Sequence, residues 1–158
     1  MEILGAGFAR TGTMSTRHAL VKLGLDPCFH MENVISENYL DEFIDAFNGN
    51  LQPLIGVLKR GNFKATLDFP IIALVDELLP HFPEAKVLLN VRDTSDAWVT
   101  SFRNTVWKAM ETPAYVRINQ LLPRPFSVVA KSKFQFDLSD ATLQCIIDKG
   151  NKEWLCVL

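Results

Sequence analysis

The chain has 158 residues, 48% of them hydrophobic and 22% charged, with 16 Lys+Arg against 18 Asp+Glu. That length supports a packed core without disulfide or metal staples, and a net charge of −2 argues against a nucleic-acid binder working through a basic face. Cys28, Cys145 and Cys156 are too few and too scattered for a disulfide framework or a C-x-x-C zinc site. Apolar runs such as Val87-Leu88-Leu89 fall far short of a membrane span, and no basic n-region precedes the apolar N-terminus. The expectation is a cytoplasmic protein of a reduced compartment, with no membrane and no nucleic-acid partner.

In chain order, Glu2 to Leu4 run into Gly5-Ala6-Gly7 as the end of a buried first strand. A helix is predicted over 13–23, with Gly24 in the place of a C′ glycine. Asp26-Pro27 forces a turn before 28–31, a candidate second strand. Leu40, Phe43, Ile44 and Phe47 fall at i, i+3, i+4 and i+7, an amphipathic helix that stops at Asn48-Gly49. A short helix over 53–59 ends at Gly61, and 64–67 is a third strand. Pro70 opens a helix whose Ile71, Leu74, Val75, Leu78 and Leu79 share one face, ending by Pro80 or Pro83. Residues 86–91, apolar without alternation, are the clearest buried strand, and 96–106 form another helix. Beyond Thr112, Pro113, Pro123 and Pro125 break any long helix; 131–136 alternate as a strand would, and 141–148 suit a last helix. Strands alternating with helices give the α/β class: a parallel sheet flanked by helices on both faces, in one domain over 1–158.

The chemistry gathers first at Gly7-Phe8-Ala9-Arg10-Thr11-Gly12-Thr13, between a strand and a helix. There, unpaired N–H groups and the helix dipole converge on an anion. Gly7-x4-Gly12 has phosphate-loop spacing, but Thr13 stands where a nucleoside triphosphatase needs lysine. Arg10 supplies positive charge, and the Thr11, Thr13 and Ser15 hydroxyls can donate to phosphate oxygens. A dinucleotide fingerprint is the rival: Gly5-x-Gly7 opens one, yet Arg10 takes its third glycine position, and no acidic residue closes the second strand. A strand-to-helix turn without ligand is the plainest alternative.

The run Gly-Ala-Gly-Phe-Ala-Arg-Thr-Gly-Thr-Met-Ser, 5–15, resembles the N-terminal loop of a P-loop sulfotransferase-like family whose members carry arginine there. The resemblance continues through Pro27-Cys28-Phe29-His30-Met31, Ala65-Thr66-Leu67-Asp68-Phe69-Pro70, Pro83-Glu84-Ala85-Lys86-Val87-Leu88-Leu89-Asn90-Val91-Arg92-Asp93, and Trp98-Val99-Thr100-Ser101-Phe102-Arg103-Asn104-Thr105. These blocks keep order and approximate spacing over residues 1 to about 108.

The resemblance implies a P-loop fold. It also implies sulfuryl transfer from 3′-phosphoadenosine 5′-phosphosulfate, as co-substrate, to the hydroxyl or amine of a small-molecule acceptor. Gly7, Arg10, Thr11, Gly12, Thr13 and Ser15 would hold the phosphosulfate, and Arg92 and Ser101 the 3′-phosphate. Arg92 to Ser101 spans nine positions, one more than the family pattern, so Thr100 is the alternative hydroxyl. Arg92 could instead form a surface ion pair with Asp93 or Asp96.

Asp68 matches the family's Asp-x-Pro position and is the first candidate for general base. An Asp before Phe-Pro at a helix start is also a common N-cap, whose pKa would be lowered. His30 is the second candidate catalytic group, because imidazole titrates near working pH; alternatively it is packed and hydrogen-bonded. With Arg10 in the loop these complete the catalytic set. His18 and His81 are not assigned a role. Leu40, Phe43, Phe47, Trp98 and Trp107 could line an acceptor pocket, with a core role given priority. No His/Cys/Asp cluster has ligand spacing, and no metal is expected.

The family's basic, glycine-containing closing segment has no counterpart over 109–158, where Lys149-Gly150-Asn151-Lys152 is short. A divergent or truncated second half with an incomplete lid is the expectation, and with it weak nucleotide binding or slow turnover. The alternatives are a catalytically inactive nucleotide-binding or interaction protein of the same fold and, more remotely, an NAD(P)-dependent oxidoreductase.

Overall fold

A computed structural model describes residues 1–110 and 112. Four short strands, β1 (Ile3–Gly5), β2 (Cys28–Phe29), β3 (Ala65–Thr66) and β4 (Lys86–Leu88), form the sheet among these residues, in the order β2-β3-β1-β4. Every pairing is parallel, with Ile3 opposite both Ala65 and Lys86, and Cys28 opposite Ala65. Parallel neighbours need long crossovers, and helices supply them. Between β1 and β2 runs α1 (Thr13–Lys22). Between β2 and β3 run α2 (Met31–Ser36), α3 (Leu40–Phe47) and α4 (Gln52–Arg60). Between β3 and β4 a 3₁₀ turn (Ile71–Leu74) leads into α5 (Val75–Leu78) and a second 3₁₀ turn (Leu79–His81). The α/β class with a parallel sheet is as expected.

Side-chain alternation along the strands feeds two apolar clusters. Leu4 and Phe29 enter the larger one with Phe43, Leu54, Leu58, Ile71 and Leu78, from α3, α4, α5 and the first 3₁₀ turn. Cys28, Ala65 and Leu67 pack with Leu20 of α1, and Ile3 and Leu88 join them. Helices therefore cover both faces. Phe29 meets Phe63 edge-on at 5.1 Å and Phe43 at 6.0 Å. The fully buried Phe43 and the partly buried Phe47 belong to this core, in keeping with their helical spacing. Phe43→Ala is expected to cost about 3–5 kcal/mol, read as a lower urea midpoint at constant slope.

Helix ends follow local chemistry. The Leu25 N–H donates to the Leu20 carbonyl (2.9 Å) and the Gly24 N–H to that of Val21 (3.0 Å), a Schellman closure of α1. Beyond α3, the Asn50 N–H reaches Asp45 (2.9 Å) and the Gly49 N–H reaches Ala46 (3.0 Å), the same motif.

Three expectations are corrected. The second strand, predicted over 28–31, ends at Phe29: the Asn33 Oδ1 accepts the His30 N–H (2.9 Å) and turns the chain into α2, a local bond that competes with strand pairing. The helix after Pro70 is broken into 3₁₀, α and 3₁₀ pieces, with Leu74 at φ −125° between the first two. Strand 86–91 is shorter and less buried than its composition suggests: β4 stops at Leu88, and Val87 is 48% exposed. β4 pairs only with β1 among the described residues, and unbroken hydrophobicity does not distinguish a central from an outer strand.

The chain divides after Val91 into two compact units. In the second, the Thr94 Oγ1 accepts the Ala97 N–H (3.1 Å) at the start of α6 (Ser95–Phe102). The helix continues as a π-helical turn (Arg103–Trp107) and α7 (Lys108–Met110). Trp98 is buried and stacks on Phe102 at 5.1 Å. The predicted elements 131–136 and 141–148, with Cys145 and Cys156, lie outside the described residues.

Candidate active site

Because the strands run parallel, the segments leaving the carboxyl ends of β1, β2, β3 and β4 share one edge of the sheet, where open α/β sheets bind ligands. Those segments are the glycine loop, His30, Asp68 and Asn90. The loop approaches Asn90 so closely that a Cβ on Gly7 would lie 2.5 Å from the Asn90 Cβ and 3.0 Å from its carbonyl oxygen. Its turn is held by Thr11, whose N–H (3.3 Å) and hydroxyl (2.6 Å) both donate to the Phe8 carbonyl. Arg10 has φ 71°, and Gly12, at the N-cap of α1, has φ 93°, a region open to glycine at little steric cost.

Gly12 offers no capping side chain, and the first turn of α1 holds no acidic residue. The Thr16 N–H is satisfied by the Gly12 carbonyl (3.0 Å); those of Thr13, Met14 and Ser15 have no carbonyl four residues back within the helix and suit an outside acceptor. Arg10 and Ser15 are exposed, Thr11 is half-buried and Thr13 is buried. Backbone donors, a guanidinium and hydroxyls around one turn fit a phosphosulfate group chemically.

Beside the loop lies a buried polar chain. Thr13 Oγ1 is 3.3 Å from His30 Nε2, and that nitrogen is 3.2 Å from Asp68 Oδ2. Thr13 opens α1, His30 follows β2, and Asp68 turns away from β3 with φ 72°. Burial pushes the Asp68 carboxyl above its ordinary range, opposed by the Phe69 N–H, His30 and Arg10. Although the Phe69 N–H favours the charged form, Asp68 Oδ1 has no partner in hydrogen-bond geometry, and neither does His30 Nδ1. Burial drives His30 below the usual imidazole range, against the pull of Asp68. Burial thus favours the neutral form of each group, while the charge of each favours the charged form of the other.

The helix-cap reading of Asp68 is overturned. The 3₁₀ turn after it has Pro70 at its N-cap and no side-chain cap, while the carboxylate faces His30 and its pKa is raised rather than lowered. β2 ends at Phe29 and His30 follows it, so its end holds no carboxylate for a ribose. Arg92 and Ser101 lie in the second unit. Arg92 is exposed; Ser101 is half-buried on α6, and its carbonyl accepts the Thr105 hydroxyl (2.6 Å). Thr100, the alternative hydroxyl, is exposed.

Asn90 and Thr16 have no role legible in the sequence. Asn90 Nδ2 donates to Thr16 Oγ1 (2.8 Å), and that hydroxyl donates to the Gly12 carbonyl (3.2 Å). One side chain thus braces the loop at Gly7 and at the helix start. A polar residue closing an apolar strand was the available signal. Asn90→Ala is expected to destabilise the fold by about 1 kcal/mol, the worth of one lost hydrogen bond, read as a lower urea midpoint at constant slope.

Cys28 is buried, and burial pushes its thiol up to about 11, with Arg17 opposing and Asp26 adding. The folded protein at pH 8 is expected to alkylate there about a hundredfold more slowly than a free thiol, measured by peptide mass spectrometry. Among the described residues no group of His, Cys, Asp and Glu side chains could hold a metal ion, and no helix is long and apolar enough to cross a membrane.

The chain thus presents a parallel α/β sheet with a glycine loop after its first strand and the buried Thr13–His30–Asp68 chain beside it. The chain matches the family model described as a sulfotransferase domain over residues 2–147, and it belongs to that family. It is also similar to Ava biosynthesis cluster protein M of Aspergillus versicolor, 27% identical over 161 residues, which cover 98% of this chain. The chain spans 59% of the length of that curated relative.

Proposed function

We propose that the protein transfers a sulfuryl group from 3′-phosphoadenosine 5′-phosphosulfate to the hydroxyl or amine of a small molecule. The observation that carries this reading is the Thr13–His30–Asp68 chain, which joins the first residue of the anion-seating helix to a buried carboxylate. Asp68 accepts the acceptor's proton as its oxygen or nitrogen bonds to sulfur. The bridging S–O bond breaks, and its electron pair leaves on the 5′-phosphate. Arg10, the first N–H groups of α1 and the hydroxyls of Thr13 and Ser15 stabilise the charge that grows there, while the Thr11 hydroxyl, whose one proton goes to the Phe8 carbonyl, holds the turn. Gly7 and Gly12 let the backbone approach that closely. By the family resemblance, the 3′-phosphate falls to Arg92 and Ser101. No step calls for a metal.

Calorimetry with adenosine 3′,5′-bisphosphate, alongside a sulfate-transfer assay on the purified chain, tests the reading. Arg10→Ala and Arg92→Ala are each expected to weaken binding about 10- to 100-fold, the worth of a charge-assisted hydrogen bond. A parent protein that fails to bind, or binding untouched by both substitutions, overturns the assignment. Binding without turnover across a panel of hydroxyl and amine acceptors is the result expected of an inactive nucleotide-binding relative.

A further inference from the structure

We infer that His30 is a positioning residue that ties the anion loop to the base, so that a doubly charged ligand seated on Thr13 raises the proton affinity of the His30–Asp68 pair. The inference rests on the proposed function, because it takes the loop as the seat of the phosphosulfate. Its basis is one shared nitrogen: His30 Nε2 lies 3.3 Å from Thr13 Oγ1 and 3.2 Å from Asp68 Oδ2. Thr13, His30 and Asp68 are 6%, 5% and 7% exposed, so water does little to screen them. A neutral imidazole has a single N–H. When Nε2 carries it toward Asp68, Nε2 has no lone pair left to accept from Thr13. The Thr13 hydroxyl proton is then available on the loop side, and an anion accepting it lies within two hydrogen-bond lengths of Nε2, roughly 6 Å. At that separation in a buried site, negative charge favours the imidazolium.

The other charges around the pair are Arg10 from the loop, Arg17 from α1 and Glu32 from α2. Arg17 and Glu32 pair with each other at 2.6 Å, so their opposite influences on His30 offset. Arg10 favours the charged form of Asp68, and an anion gripped by Arg10 weakens that pull. Both routes have the same sign: ligand and proton are taken up together. By linkage, affinity falls as pH rises through the pair's ligand-bound midpoint. In turnover, the base gains its full proton affinity only once the donor is seated.

The imidazole Cε1–H resonances of the full chain, titrated by NMR with and without saturating adenosine 3′,5′-bisphosphate, test this. The sequence has three histidines; His30→Gln assigns the resonance, and the exposed His81 is the internal reference. The His30 midpoint is expected to rise by about one pH unit or more while that of His81 stays put. Calorimetry from pH 5.5 to 8 adds a second readout. Both proteins share the ligand's own phosphate titration, so the parent is expected to lose affinity more steeply than His30→Gln, by up to about tenfold per pH unit. If His30→Gln fails to fold, the titration of the parent decides alone. A His30 midpoint unmoved by bound nucleotide overturns the inference and leaves the proposed function standing; absence of nucleotide binding overturns both.

Discussion

On the proposed function, Asp68→Asn is expected to lower kcat for sulfate transfer by about 10²–10⁴-fold, the range for loss of a positioned general base, while the affinity for adenosine 3′,5′-bisphosphate changes little. The amide keeps the carboxylate's shape and can still accept from His30 Nε2, but it cannot take up the acceptor's proton. Stability is expected to move the other way. The folded carboxyl has a raised pKa, so between the ordinary Asp value and that raised value the native state binds more protons than the unfolded one. The stability associated with Asp68 is therefore present at acid pH and lost as pH rises through the folded midpoint. Asn never ionises, so Asp68→Asn should melt higher than the parent at pH 8, with the gain shrinking toward pH 4. His30, lowered by burial, has the opposite sense: its contribution is present above pH 6.5 and fades as pH falls through its folded midpoint. Parallel melting and turnover profiles check both signs. Retained turnover in Asp68→Asn would remove this residue as the base.

Gly7→Ala has the second large effect, through space rather than charge. The new Cβ would meet the Asn90 Cβ at 2.5 Å and the Asn90 backbone at 3.0 and 3.1 Å; backbone cannot rotate aside as a side-chain tip can. Either the loop or the segment after β4 that carries Asn90 must shift, at a cost of about 1–3 kcal/mol. Because the loop's donors act only when aimed together, nucleotide affinity should fall more than tenfold. Gly12→Ala is the comparison: no atom lies within 4 Å of where its Cβ would stand, yet φ is 93°, so that substitution strains the backbone without collision. Urea denaturation and calorimetry on the two variants separate crowding from backbone strain. Equal, small effects from both would mean the loop does not depend on its closeness to Asn90.

What the sequence makes legible is local. The helix of Leu40, Phe43, Ile44 and Phe47 announces itself because four apolar residues at helical spacing have one way to leave water together, and Asn48-Gly49 supplies its stop. The strand-to-helix loop from Gly7 to Ser15 is legible for the same reason: its backbone donors, its glycines and Arg10 are neighbours in sequence. β4 is harder, since a run of valine and leucine carries no record of which strands flank it. His30 reads as a strand residue in sequence, because the bond from its N–H to Asn33 that begins α2 competes with an equally plausible extended chain.

By itself, the order of amino acids determined the α/β alternation, the glycine stops of α1 and α3 and the strand-to-helix glycine turn, all of which depend on residues a few positions apart. Only the folded chain decided that Asp68 faces His30 instead of capping a helix, that Thr13 shares the same imidazole nitrogen, and that Asn90 braces a loop 74 positions away at Thr16. The physical reason is that desolvation and pairing depend on which segments the parallel sheet brings to one edge, and that juxtaposition is set by packing across the whole unit, not by any window of sequence.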